Sequence, residues 1–170
     1  MKHFKFFGIC LGLLFLIASA ANAAGTVVQS ASMVQNDIRQ VTFTCTGDAS
    51  DGSIPNTDTN TAITGYIKGF YLYKVEAFPT DGGTAPDAAD VLIYDSDGLD
   101  LLGSEDGSTA YAGLGLIHAT LKRSCLPNMH LPRADLHVNF YPSINGALTL
   151  DVVNQATASA EYTIVLTFVK

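Results

Sequence analysis

A two-residue rhythm of side chains limits this chain more than any other feature. At the C-terminal end, Tyr162, Ile164, Leu166 and Phe168 fall on one side of an extended backbone, and Thr163, Val165, Thr167 and Val169 on the other. A period of two belongs to a β-strand, whose successive side chains point to opposite faces. Both sets contain apolar or β-branched residues, so segment 161–170 reads as a central strand covered on both faces.

The same rhythm recurs along the chain. Segment 39–47 places Val41, Phe43 and Cys45 at alternate positions, which directs Cys45 inward with the core. Segment 136–140 alternates cleanly, Pro142, Ser143, Asn145 and Gly146 supply turn chemistry, and Leu148, Leu150 and Val152 then share a face, which predicts a hairpin. Segment 63–78 is long enough for one bent strand or two, with Gly65 and Gly69 as bends. Residues 91–94 form a short strand that turns at Asp95-Ser96-Asp97-Gly98 and returns through 99–102. Segments 47–61 and 79–90 read as exposed loops. Segment 110–121 is the one stretch with helical spacing, through Leu114, Ile117, His118 and Leu121, although Gly113 and Gly115 each cost roughly 1 kcal/mol in a helix. Many short strands without βαβ alternation predict an all-β fold, a two-layer antiparallel β-sandwich of immunoglobulin-like or jelly-roll-like type with room for one short helix.

The N-terminus differs in kind. Lys2, His3 and Lys5 precede a continuous apolar run over 6–17, and small residues end in Ala21-Asn22-Ala23. This is the pattern of a secretory signal peptide, with cleavage expected before Ala24, since a run of about 12 residues is short of the roughly 20 that span a bilayer. Residues 24–170 then form one domain, expected to be secreted, periplasmic or at the cell surface, without membrane insertion once the leader is removed. Without the leader the chain keeps seven basic against sixteen acidic residues, a net of −9. Sparse, scattered Lys and Arg cannot neutralise a row of phosphates, which excludes a nucleic-acid partner and disfavours an anionic membrane surface.

Loss of the leader removes Cys10 and leaves Cys45 and Cys125. In an oxidising compartment two remaining cysteines predict one disulfide, Cys45–Cys125. Asp95, Asp97 and Asp100 surround a glycine in the manner of extracellular calcium loops, making calcium the one candidate cofactor; the competing reading is a turn whose carboxylates cap backbone N–H groups. His118, Cys125, His130 and His137 lie within 20 residues but lack the short regular spacing of a zinc site. Ser104 and Ser108 have no nucleophile-elbow signature, and no catalytic motif is present elsewhere. A small acidic sandwich of this kind is expected to be a binding or assembly module, not an enzyme. The densest aromatic cluster, Tyr66, Phe70, Tyr71, Tyr73 and Phe78, makes Tyr66, Tyr71 and Tyr73 the candidate contact residues for a protein partner, for self-association or for a glycan.

The order of segments also carries a resemblance. Thr84-Ala85-Pro86-Asp87 leading through Val91-Leu92-Ile93-Tyr94-Asp95-Ser96-Asp97-Gly98 to Leu101-Leu102-Gly103, with Asn145-Gly146-Ala147-Leu148-Thr149-Leu150 and Tyr162-Thr163-Ile164-Val165-Leu166 closing the chain, resembles a group of small uncharacterised proteins of tailed bacteriophages and prophages. The resemblance implies a β-sandwich and a role as a virion accessory or decoration component, here joined to an export signal. The expected function is therefore that of an exported, non-enzymatic structural or assembly protein acting through protein–protein contacts, as a surface, filament or phage-like subunit. The alternative is an extracellular module that binds a glycan or calcium.

Overall fold

The computed structural model describes residues 24–87, 89–102, 122–126 and 141–170. The proposed leader, the helical spacing of 110–121, the strand expected over 136–140, and His118, His130, His137, Ser104 and Ser108 lie outside the described residues. The elements in chain order are β1 (Thr26–Gln35), β2 (Ile38–Thr46), β3 (Thr57–Asp58), α1 (Thr61–Ile67), β4 (Tyr71–Pro79), β5 (Asp90–Tyr94), β6 (Arg123–Cys125), β7 (Thr149–Val153) and β8 (Glu161–Val169). They form a five-stranded sheet, β1-β2-β8-β4-β6, and a three-stranded sheet, β3-β7-β5. All named strand pairs are antiparallel. This is the all-β sandwich that the period-two patterns predict.

The alternation fixes the core. In β8 the residues Tyr162, Ile164, Leu166 and Phe168 are fully buried, and the first three lie opposite Cys45, Phe43 and Val41 of β2. The second sheet contributes Val91, Ile93, Leu150 and Val152, paired Val91 to Val152 and Ile93 to Leu150. Each large apolar side chain removed from water in this way contributes roughly 1.5–3 kcal/mol before entropy is counted. β8 is central, between β2 and β4; its even-numbered face is core, and on the other Thr167 is buried while Thr163, Val165 and Val169 are half-buried.

The reading of 63–78 as strand needs correction. Its first part is α1: Asn60 caps the helix by accepting from the Ile63 N–H at 3.0 Å, Ile63 and Ile67 share the buried face one turn apart, and Gly69, at φ +78°, follows the last turn. A residue in the left-handed region after a helix is the usual stop, and glycine reaches it without a Cβ clash. Among the described residues this is the one helix. Thr59 fastens it to the second sheet, with its hydroxyl sharing a hydrogen with Thr64 and accepting from the Leu148 N–H.

Alternation also fails within β4. Strict period two would align Tyr71, Tyr73 and Val75, but a bulge shifts the register between Leu72 and Lys74, so Leu72, Val75 and Ala77 point inward. The extra residue lets Val75 turn inward while Tyr71 and Tyr73 stay outward. Segment 47–61 is likewise not wholly exposed, since it carries β3 and buries Ile54 and Thr59. After Tyr141, the chain runs beside the start of β4, with Ser143 bridging to Tyr71 and the Ile144 N–H bonding to the Phe70 carbonyl, before β7 enters the other sheet. Among the described residues no helix is long and apolar enough to cross a membrane.

Candidate binding surface

Tyr71 and Tyr73 stand exposed on the outer side of the five-stranded sheet. Tyr141, delivered by the segment that flanks β4, places its ring 5.5 Å from that of Tyr73, tilted by 39°. Beside them Glu76 accepts from Lys74 and Lys122 at 3.0 Å each. Burial pushes the Glu76 carboxyl up, but the two ammonium groups outweigh it and hold the group below the usual carboxylate range. Lys122 also lies 4.8 Å from the Phe78 ring. Elsewhere on this face Thr42 and Thr44 of β2 and Thr163 of β8 present hydroxyls, with Val165 and Val169 half-buried among them. Rigid aromatic rings beside such an ionic cluster can make contact area at little cost in side-chain entropy.

Tyr66 is not part of this surface. It lies on α1, half-buried, where the Arg39 guanidinium is held between Tyr66 and Phe70, with Cζ 4.3 Å and 4.0 Å from the ring centres. Arg39 occupies an inward position of β2 opposite Phe168, so Tyr66 belongs to the inner side of the sheet. Sequence reasoning missed both Tyr141 as a contact residue and this cation–π stack. Tyr141 precedes Pro142 in what reads as turn, and nothing local links it to Tyr73.

The Asp95–Asp100 segment is a capped turn. One Asp95 carboxylate oxygen accepts from the backbone N–H groups of Asp97 and Leu99 at 2.9 Å each, and Asp100 accepts from Leu102 N–H at 3.0 Å. Leu101 N–H then returns to the Ile93 carbonyl at 2.7 Å. Among the described residues no three His, Cys, Asp or Glu side chains converge as metal ligands. These are the capping bonds of the turn that the sequence offers beside a calcium loop.

The expected disulfide is also absent. Cys45 and Cys125 are free thiols on strands β2 and β6, which β8 and β4 separate. Burial pushes both thiols up to about 12, and at Cys125 the charge of Asp100 adds to that. The same charge, together with that of Asp151, reinforces the upward shift that burial gives Tyr94. A raised thiol is a poor nucleophile, so neither cysteine is poised for chemistry.

The class defined by fold and surface is an all-β sandwich with an outward tyrosine face. Comparison with protein-family models, with curated proteins and with solved structures finds no match for the chain.

Proposed function

We propose that this protein is an exported, non-enzymatic structural component that works through protein–protein contacts, and that the outer face around Tyr71, Tyr73 and Tyr141 is its contact surface. The observation that carries this reading is the exposure of three tyrosines side by side, Tyr71 and Tyr73 on β4 and Tyr141 on the segment that flanks it. The resemblance of the segment order to small phage and prophage proteins supports an assembly role, and the leader-like N-terminus supports export to a periplasmic, secreted or surface setting.

The test compares the native protein with Tyr71→Ser/Tyr73→Ser. Native protein is expected to co-sediment with high-mass surface or particle assemblies, and the double variant to remain in the soluble fraction with an unchanged melting temperature. A native protein found only in the soluble fraction overturns the proposal. Binding of native protein to a glycan array, lost in the same variant, would replace it with a glycan-binding module.

A further inference from the structure

The two sheets leave several edges, and they are not alike. β6 is three residues long and preceded by Lys122, β3 is two residues long, and β5 begins at Asp90. Short strands and charges are the devices by which proteins keep sheet edges from pairing. β1 has neither. It runs for ten residues, has β2 as its one neighbouring strand among the described residues, and carries no charged side chain or proline from Ala24 to Asn36. Its exposed side chains include Val28 at 64%, Met33 at 62% and Val34 at 52%. The bulge against β2 falls between Met33 and Gln35, leaving Thr26–Met33 in regular register.

The sequence of this strand reads almost alike in both directions. Val27-Val28 and Met33-Val34 flank a central Gln29-Ser30-Ala31-Ser32. An antiparallel pairing of the strand with itself, centred on Ala31, sets Val28 opposite Val34 and Ser30 opposite Ser32. Cross-strand pairs of β-branched and apolar side chains are the favourable unit of sheet stabilisation. The chain as a whole has a net charge of −7, so two copies repel across their acidic loops but not along β1. Beside the same edge lies a mainly apolar groove of about 300 Å³ lined by Ala31, Ser32, Met33, Ala62, Ile63 and Tyr66, with room for side chains of an added strand.

We infer that β1 is a self-assembly edge: its free side pairs antiparallel with β1 of a second copy, joining two five-stranded sheets into one. This rests on the contact-protein reading above and names a second interface, separate from the tyrosine face.

Sedimentation velocity of the purified protein over a wide concentration range tests it. Native protein is expected to form a dimer whose dissociation constant rises about tenfold or more in Ser30→Lys/Ser32→Lys, because like charges then lie opposite one another. Circular dichroism and melting temperature of that variant should match the native protein, since both positions are exposed. In parallel, Ser30→Cys with a short bismaleimide should give a covalent dimer that native protein, with its two protected thiols, does not. A monomer at every concentration overturns the inference. So does a dimer unaffected by the lysines; if that dimer dissociates in Tyr71→Ser/Tyr73→Ser, the tyrosine face survives as the contact and β1 does not.

Discussion

Oxidation state is where sequence and fold make opposite predictions, and the fold's prediction can be worked through. Cys45 lies level with Tyr162 of β8, and Cys125 lies opposite Val75, which is level with Leu166. Three inter-strand steps of about 4.8 Å separate the two cysteines across the sheet, about 14 Å, and four residues of about 3.4 Å separate them along it, again about 14 Å. Their Cα atoms are thus about 20 Å apart, where a disulfide needs roughly 4.4–6.8 Å. The perturbation is alkylation of the folded protein at pH 8, followed by intact mass measurement. A thiol raised from 9.0 to about 12 loses about a thousandfold in thiolate, and the greater nucleophilicity of a more basic thiolate returns about thirtyfold, leaving labelling about thirtyfold slow before burial blocks the reagent. In denaturant the adducts on Cys45 and Cys125 should appear at once. A mass two hydrogens light that takes no adduct would refute the strand order that separates β2 from β6. The pH dependence has a definite sign. Because the folded thiols hold their protons above the unfolded value of 9.0, their contribution is complete below pH 9 and is lost as pH rises toward 12, at up to about 1.4 kcal/mol per unit for each thiol. Urea unfolding at stepped alkaline pH should show that decline.

Other perturbations probe single contacts. The Tyr162 hydroxyl is buried with no hydrogen-bonding protein group, so Tyr162→Phe should stabilise the fold by about 1–2 kcal/mol in urea unfolding; a loss of similar size would reveal a partner for the hydroxyl. Gly52 has φ +76°, and a Cβ there would come 2.6 Å from the Thr157 carbonyl oxygen, so Gly52→Ala should cost about 1–3 kcal/mol, read as a lowered melting temperature. Asn60→Ala removes the cap of α1 and should cost about 1 kcal/mol, with Asn60→Ser restoring most of it.

How much of this was legible in the chain depends on how local each determinant is. The inward sets Val41-Phe43-Cys45 and Tyr162-Ile164-Leu166-Phe168 could be read directly, because period two is a property of one strand alone. The turn at Asp95 and its return through Leu101 were equally local. Segment 63–78 misled because its helix is only seven residues, too short for a helical period to stand out among β-branched neighbours, although Asn60 and Gly69 mark its two ends. The β4 bulge had no signal at all: it is set by what Phe168 and Leu166 of β8 require opposite Leu72 and Val75. The cysteine pairing failed for a similar reason. Counting thiols gives a number of bridges, but strand order decides whether two cysteines can meet, and that order is formed by contacts remote in sequence.

The acidic turn carries the same lesson into a measurement. Asp95, Asp97 and Asp100 have the composition of a calcium loop, yet a cation needs carboxylate oxygens turned toward one point, and Asp95 and Asp100 each direct one oxygen to N–H groups of their own turn. Binding would have to break those bonds, each worth about 1 kcal/mol or more. A site of the weak extracellular kind, with a dissociation constant near 10⁻⁴ M, would add about 1.4 kcal/mol at 1 mM calcium, or roughly 3–6 °C in a domain of this size. The expected shift is under about 1 °C, whether calcium is added or chelated. Asp95→Ala should lower stability by about 1–2 kcal/mol through loss of its two backbone bonds, and by the same amount with and without calcium. A calcium-dependent difference between Asp95→Ala and native protein would show that the carboxylates leave their caps for a cation, and the capped turn would then be only the metal-free arrangement of the loop.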